Sequence, residues 1–217
     1  MTSYENPVQL VWSTPNGEDF IAYMARVSAP ENQHLDGAGL VNYLIKNHHW
    51  SPFEMVNVVF EITTTRDIAR QLLRHRSFSF QEFSQRYAEV TKLEKAPLRE
   101  CRLQDNKNRQ NSLETQDGSL HSWWKKQQTD LEDYSARIYN AALHKGIAKE
   151  VARAVLPEGL TTSRLYMNGT LRSWYHFLKL RLGNGTQKET QLLAQKLAEV
   201  LELLYPNVWA ALMEKQS

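Results

Sequence analysis

Cysteine is almost absent from this chain of 217 residues, with Cys101 its single example. One thiol cannot close an internal disulfide, so the expectation is a reducing cytoplasm. Long apolar runs are missing too. No stretch approaches the ~20 residues needed to span a bilayer, so no membrane association is expected. Met1-Thr2-Ser3-Tyr4-Glu5-Asn6 has neither the basic nor the apolar part of a secretory leader. Net charge is small, +2 from 26 Lys and Arg against 24 Asp and Glu, which provides no bulk field for gripping nucleic acid. No Gly-x-Gly-x-x-Gly element occurs, which argues against a conventional dinucleotide fold. No metal site is expected. What remains is globular composition, 41% hydrophobic and 23% charged, at a length that fits one domain spanning 1–217 with its own core.

Against that plain background one stretch stands out, Arg74-His75-Arg76-Ser77-Phe78-Ser79-Phe80-Gln81-Glu82-Phe83-Ser84-Gln85-Arg86-Tyr87. It crowds three arginines, a histidine, three serines, two amides and a carboxylate among three phenylalanines. A solubilising loop needs no such aromatics, and a core could not bury so many guanidinia without partners. Upstream, Arg66, Arg70 and Arg74 recur at i, i+4 and i+8, one stripe of a helix. Arginine in this density suits small anionic ligands such as phosphates, which it grips bidentately.

The expected fold is α+β, a single domain with a central, mostly antiparallel sheet and surrounding helices. Val8 to Trp12 reads as a strand ended by a turn at Ser13-Thr14-Pro15-Asn16-Gly17, and Glu18 to Val27 as a helix. Asp36 is placed to cap a helix carrying Leu40, Val41, Leu44 and Ile45. Val56, Val58, Phe60 and Ile62 alternate as a half-buried strand. Thr64-Thr65-Arg66-Asp67 suggests a capping box for a helix running into Arg74, with Ile68, Leu72 and Leu73 in the core. Residues 93–118 are polar and read as a long loop or lid. Helices are expected over 122–144, 147–156, 171–182 and 190–204, an extended piece over 160–167 and a last turn over 208–213.

The 74–87 stretch, Arg-His-Arg followed after seven residues by Ser and then Arg-Tyr, resembles the signature of the flavin-dependent thymidylate synthases. Further blocks resemble that family in the same order: Ala25-Arg26-Val27-Ser28, His49-Trp50-Ser51-Pro52-Phe53-Glu54, Val151-Ala152-Arg153-Ala154-Val155-Leu156-Pro157, and the run from Gly169 through Arg172 and His176-Phe177 to Arg181. Two positions depart from the pattern, Gln81 and Thr170, each standing where asparagine is usual.

The resemblance implies reductive methylation of dUMP to dTMP. FAD is the implied cofactor, NADPH the reductant and methylenetetrahydrofolate the carbon donor. It implies FAD binding through Ser51, Glu54, Arg74, His75, Arg76, Glu82, Arg172 and His176. It assigns dUMP to Gln71, Arg74, Glu82, Ser84, Gln85, Arg86, Arg153 and Arg181, with Arg181 stabilising the N3 anion of the uracil as the catalytic group. It also implies a homotetramer whose active sites draw on several subunits. Cysteine-dependent thymidylate synthases activate C5 by adding a thiolate at C6, whereas Cys101 lies in the polar stretch outside every motif, which suits the flavin route. Two other readings stay open. A flavoprotein of the same fold could act on another pyrimidine, or the arginines and aromatics could serve a nucleic-acid-binding module.

Overall fold

The computed structural model describes residues 4–214, so the reading of Met1, Thr2 and Ser3 lies outside the described residues. The fold is α+β, with a four-stranded antiparallel sheet in the order β1-β2-β6-β3. Its strands are β1 (Val8–Ser13), β2 (Asn57–Thr65), β3 (Phe78–Glu82) and β6 (Thr162–Thr170). The helices are α1 (Gly17–Ala25), α2 (Ala38–Lys46), α3 (Arg66–Leu72), α4 (Gly118–His144), α5 (Lys149–Ala152), α6 (Leu171–Arg181), α7 (Lys188–Leu204) and α8 (Pro206–Glu214). No helix among the described residues is long and apolar enough to cross a membrane. The chain groups into two compact units, and β2, β3 and β6 each contribute residues to both.

The first unit holds the chain up to Pro7, Ile62–Arg74 and Gln81–Leu165. Its helix α3 buries Ile68, Ala69 and Leu72 but stops before Arg74, which leaves Leu73 37% exposed rather than in the core. The expected capping box does not form. Thr65 gives no cap bond; its hydroxyl instead donates to Asp67 Oδ1 at 2.5 Å and accepts from Arg99 Nη2. Asp67 pairs with Arg99 at 2.7 Å, and a buried Gln128 on α4 accepts from the Arg99 N–H (2.7 Å) and donates to its carbonyl (2.9 Å). One side-chain amide thus satisfies both backbone groups of a residue outside any helix or strand. The polar 93–118 stretch is more ordered than a plain loop. It carries a hairpin of β4 (Arg102–Gln104) and β5 (Ser112–Glu114), in register Leu103 to Leu113. Asp117 then caps α4 by accepting from the N–H groups of Ser119 and Leu120. The helix expected over 147–156 is only α5 and a 3-10 turn at Arg153–Val155.

The second unit holds Val8–Glu61, His75–Phe80 and the chain from Tyr166 onward. Val56, Val58 and Phe60 are fully buried, as their alternation predicts. In α2 the first helical residue follows Gly37, so Asp36 lies one position too early to cap it and only approaches the Ala38 N–H at 3.4 Å. Helix α6 organises this unit. Thr170 accepts from the Ser173 N–H to start it, and Leu171, Trp174, Tyr175, Phe177 and Leu178 are buried at helical spacing. The Trp174 indole donates to the Val58 carbonyl at 3.1 Å, so its polar edge is satisfied inside the core. Glycine is required at 169, because a Cβ there would lie 2.3 Å from the Phe78 ring. The opposite face of α6 presents Arg172, His176 and Lys179 to solvent. The last segment is a full helix, α8, rather than a single turn.

Candidate active site

In the first unit the motif residues gather around β3, a strand for which the sequence reading gave no element. Its last residue, Glu82, is fixed on two sides. The buried Ser163 hydroxyl of β6 donates to Glu82 Oε1 at 2.6 Å, and Arg66 of α3 pairs with the same oxygen at 3.5 Å. A carboxylate with a hydroxyl donor and a guanidinium beside it is held in one orientation. Gln71 sits on α3, half-buried, and Arg74 follows it, exposed.

Beyond β3 the chain turns at Ser84, whose carbonyl accepts from the Tyr87 and Ala88 N–H groups. The turn exposes Ser84 and Arg86 and buries Gln85 at 4% exposure. The Gln85 Nε2 is buried without a hydrogen-bond partner. Arg86 reaches Glu150 of α5 with Nε and Nη2 at 3.0 Å, which brings it to the element just before Arg153. Both members of that pair are exposed, so it is worth little.

In the second unit the flavin candidates and the uracil candidate Arg181 form two sets. The 3-10 turn Ser51–Met55 presents Ser51 and Glu54, and Glu54 accepts from Arg172 of α6 across 118 positions of sequence. One turn further along α6, His176 packs against Trp50 with ring centroids 4.7 Å apart. Burial first, then the neighbouring Arg172, Lys179 and His48, hold the His176 pKa below its usual value. The second set is His75 and Arg181. Arg181 Nε donates to His75 Nε2 at 3.0 Å, and Nη2 lies 2.8 Å from the same nitrogen. Burial first, then Arg181, lower the pKa of His75. Arg76 is exposed.

A sequence model described as thymidylate synthase complementing protein matches residues 9–207. The chain belongs to the flavin-dependent thymidylate synthase family. It is 49% identical over 197 residues to a probable flavin-dependent thymidylate synthase of Paramecium bursaria Chlorella virus 1, covering 90% of each chain. It is 48% identical over 195 residues to the flavin-dependent thymidylate synthase of Synechocystis sp., covering 90% of this chain and 89% of that one. Among solved structures, it superposes on a UMP/dUMP methylase, PolB, from Streptomyces cacaoi bound with 5-Br dUMP. The TM-score is 0.83 at 30% identity, over 95% of this chain and 94% of that one.

Within this flavin-dependent thymidylate synthase framework, the two departures have different consequences. Thr170 spends its hydroxyl on the N-cap of α6 and on Ser173 Oγ at 3.2 Å, so it replaces an amide with a helix start. Gln81 is exposed on β3. Cys101 is buried just before the hairpin. Ser163 and Trp50 are the partners that motif reasoning missed. A lone serine in a buried strand carries no sequence signal. Trp50 sat inside a recognised block but had no partner until α6 was placed. Among the described residues, no group of three or more His, Cys, Asp or Glu side chains is placed to hold a metal ion.

Proposed function

We propose that this member of the family converts dUMP to dTMP, with FAD as cofactor, methylenetetrahydrofolate as carbon donor and NADPH as reductant, as a homotetramer in a reducing cytoplasm. The observation that carries the reading is the 74–87 signature, which departs from the pattern at Gln81 alone, in a chain that matches the family over residues 9–207. The donor set fits the cofactor. The exposed guanidinia of Arg74, Arg76 and Arg172 suit a pyrophosphate, and Ser51, Glu54 and the paired rings of Trp50 and His176 offer hydrogen bonds and a stacking edge. The Glu54–Arg172 pair is exposed on both sides, so a phosphate can displace the carboxylate at small cost. Bound FAD, once reduced by NADPH, would supply the hydride.

The chain's own residues bind and orient the nucleotide. Arg86 and Arg153 grip the phosphate, and the unpartnered Gln85 amide donates to the nucleotide. Glu82, set by Ser163 and Arg66, and the side chains of Gln71, Arg74 and Ser84 fix its sugar and base. Arg181 stabilises negative charge that develops on the uracil, since a fixed guanidinium is always charged and acts without reorganising. The test is direct. The purified protein should show the absorbance of oxidised flavin and form dTMP from dUMP with NADPH and methylenetetrahydrofolate. Absence of flavin, with no dTMP after FAD is added back, would sink the reading. A second reading, action on another pyrimidine nucleotide, draws on the likeness to a UMP/dUMP methylase. Running UMP beside dUMP in the same assay separates the two.

A further inference from the structure

We propose that His75 is a positioning residue for Arg181: its neutral imidazole holds the guanidinium in the orientation used on the uracil, and protonation of the ring releases it. The inference rests on the catalytic role of Arg181 proposed above. Two donors of one guanidinium edge, Nε at 3.0 Å and Nη2 at 2.8 Å, converge on the single nitrogen His75 Nε2. A guanidinium has only donors and keeps its charge, so Nε2 must offer its lone pair and the ring proton must sit on Nδ1. The partner therefore dictates the tautomer. Two bonds to one edge also set the plane of the fork against the ring.

The choice of imidazole matters chemically. A carboxylate in its place would aim the guanidinium but add a negative charge beside it. The histidine contact aims it while adding none. The ring is itself held in place. Phe177, one turn before Arg181 on α6, packs on it at 4.9 Å, Phe78 of β3 lies at 6.4 Å, and the Phe78 N–H donates to the His75 carbonyl.

Arg181 is the charged group that acts on the ring. Phe177 and Phe78 carry no titratable group, and Arg74 and Arg76 flank it in sequence. Burial and the Arg181 charge keep the ring neutral down to a pH below its ordinary 6.5. The contact is present above that lowered value and is lost as pH falls through it, when Nε2 gains a proton, donor faces donor and two cations repel.

Two measurements on the full chain decide the proposal. The first needs no turnover: the imidazole ¹⁵N spectrum of His75 at neutral pH should show a protonated Nδ1 and a bare Nε2. Arg181→Leu should weaken that preference and raise the pKa of the ring. A protonated Nε2 in the wild type would overturn the contact. The second follows flavin reoxidation by dUMP and folate, normalised to bound flavin, across the acid and neutral range. His75→Leu should slow it on the order of 10- to 100-fold, the scale of one lost hydrogen bond to a charged group. His75→Gln reaches as far as Nε2 and accepts but does not titrate. It should recover part of that loss and remove the acid limb assigned to the ring. Equal losses in the two variants, or an acid limb that survives in His75→Gln, would overturn the positioning role. A wild type that forms no dTMP overturns the functional reading alone, and the tautomer still decides the contact.

Discussion

Single side chains carry the chemistry assigned here, and they differ in how firmly the structure holds them. Glu82 is gripped from two elements, whereas Arg86 and Arg172 rest in exposed ion pairs. Arg181 lies between these cases, tied to a neutral ring. If its guanidinium meets charge that appears only as the reaction proceeds, Arg181→Ala removes interaction from the transition state rather than the ground state. Reoxidation of reduced flavin by dUMP and folate should then slow by ~10²-fold or more, the scale of one lost preorganised donor. Flavin reduction by NADPH should change much less, because it places no charge on the uracil. Arg181→Lys should recover only part, since an ammonium cannot donate two bonds from one planar edge. Equal slowing of both half-reactions would make Arg181 structural.

At the scale of elements, the segment after the signature is fastened by polar contacts rather than by a large core. Gln128 of α4 joins both backbone groups of Arg99, and Arg99 in turn holds Asp67 at the start of α3. Gln128→Ala strips partners from two part-buried backbone groups, and the expected loss is about 2–3 kcal/mol in thermal or denaturant unfolding. Gln128→Glu keeps the acceptor but loses the donor to the Arg99 carbonyl, so it should fall between wild type and Gln128→Ala. A loss under ~0.5 kcal/mol for Gln128→Ala would show that water replaces the amide without cost. The same scale explains two misread starts. Thr65 and Asp36 have the right chemistry for helix caps, but Thr65 is recruited by Arg99 and Asp36 falls one residue short of α2. Tertiary partners and a one-residue offset outweighed local preference.

The whole molecule leaves apolar side chains in water. Leu10, Val11 and Trp12 on β1 are 41–52% exposed, and Trp123, Leu131 and Tyr134 on α4 are 49–56% exposed. Such exposure supports the proposed self-association. Sedimentation equilibrium should give four times the 25.2 kDa chain mass. A stable monomer that retains full turnover would remove the tetramer from the mechanism.

The sequence alone was enough for the α+β class, for the inward residues Val56, Val58 and Phe60, for α6 and α7 nearly to the residue, and for the family through its ordered motifs. These are local or periodic properties, written in neighbouring residues. It hid β3, because the arginines on either side of Phe78–Glu82 mask a five-residue alternation. The partners also stayed hidden: Ser163 lies 81 positions from Glu82, Arg181 lies 106 from His75 and Arg172 lies 118 from Glu54. No spacing rule spans such intervals. Which guanidinium meets which acceptor is decided by how β3, β6 and α6 are brought beside their neighbours, and that is fixed by burial of Phe78, Trp174 and Phe177 rather than by the charged residues themselves.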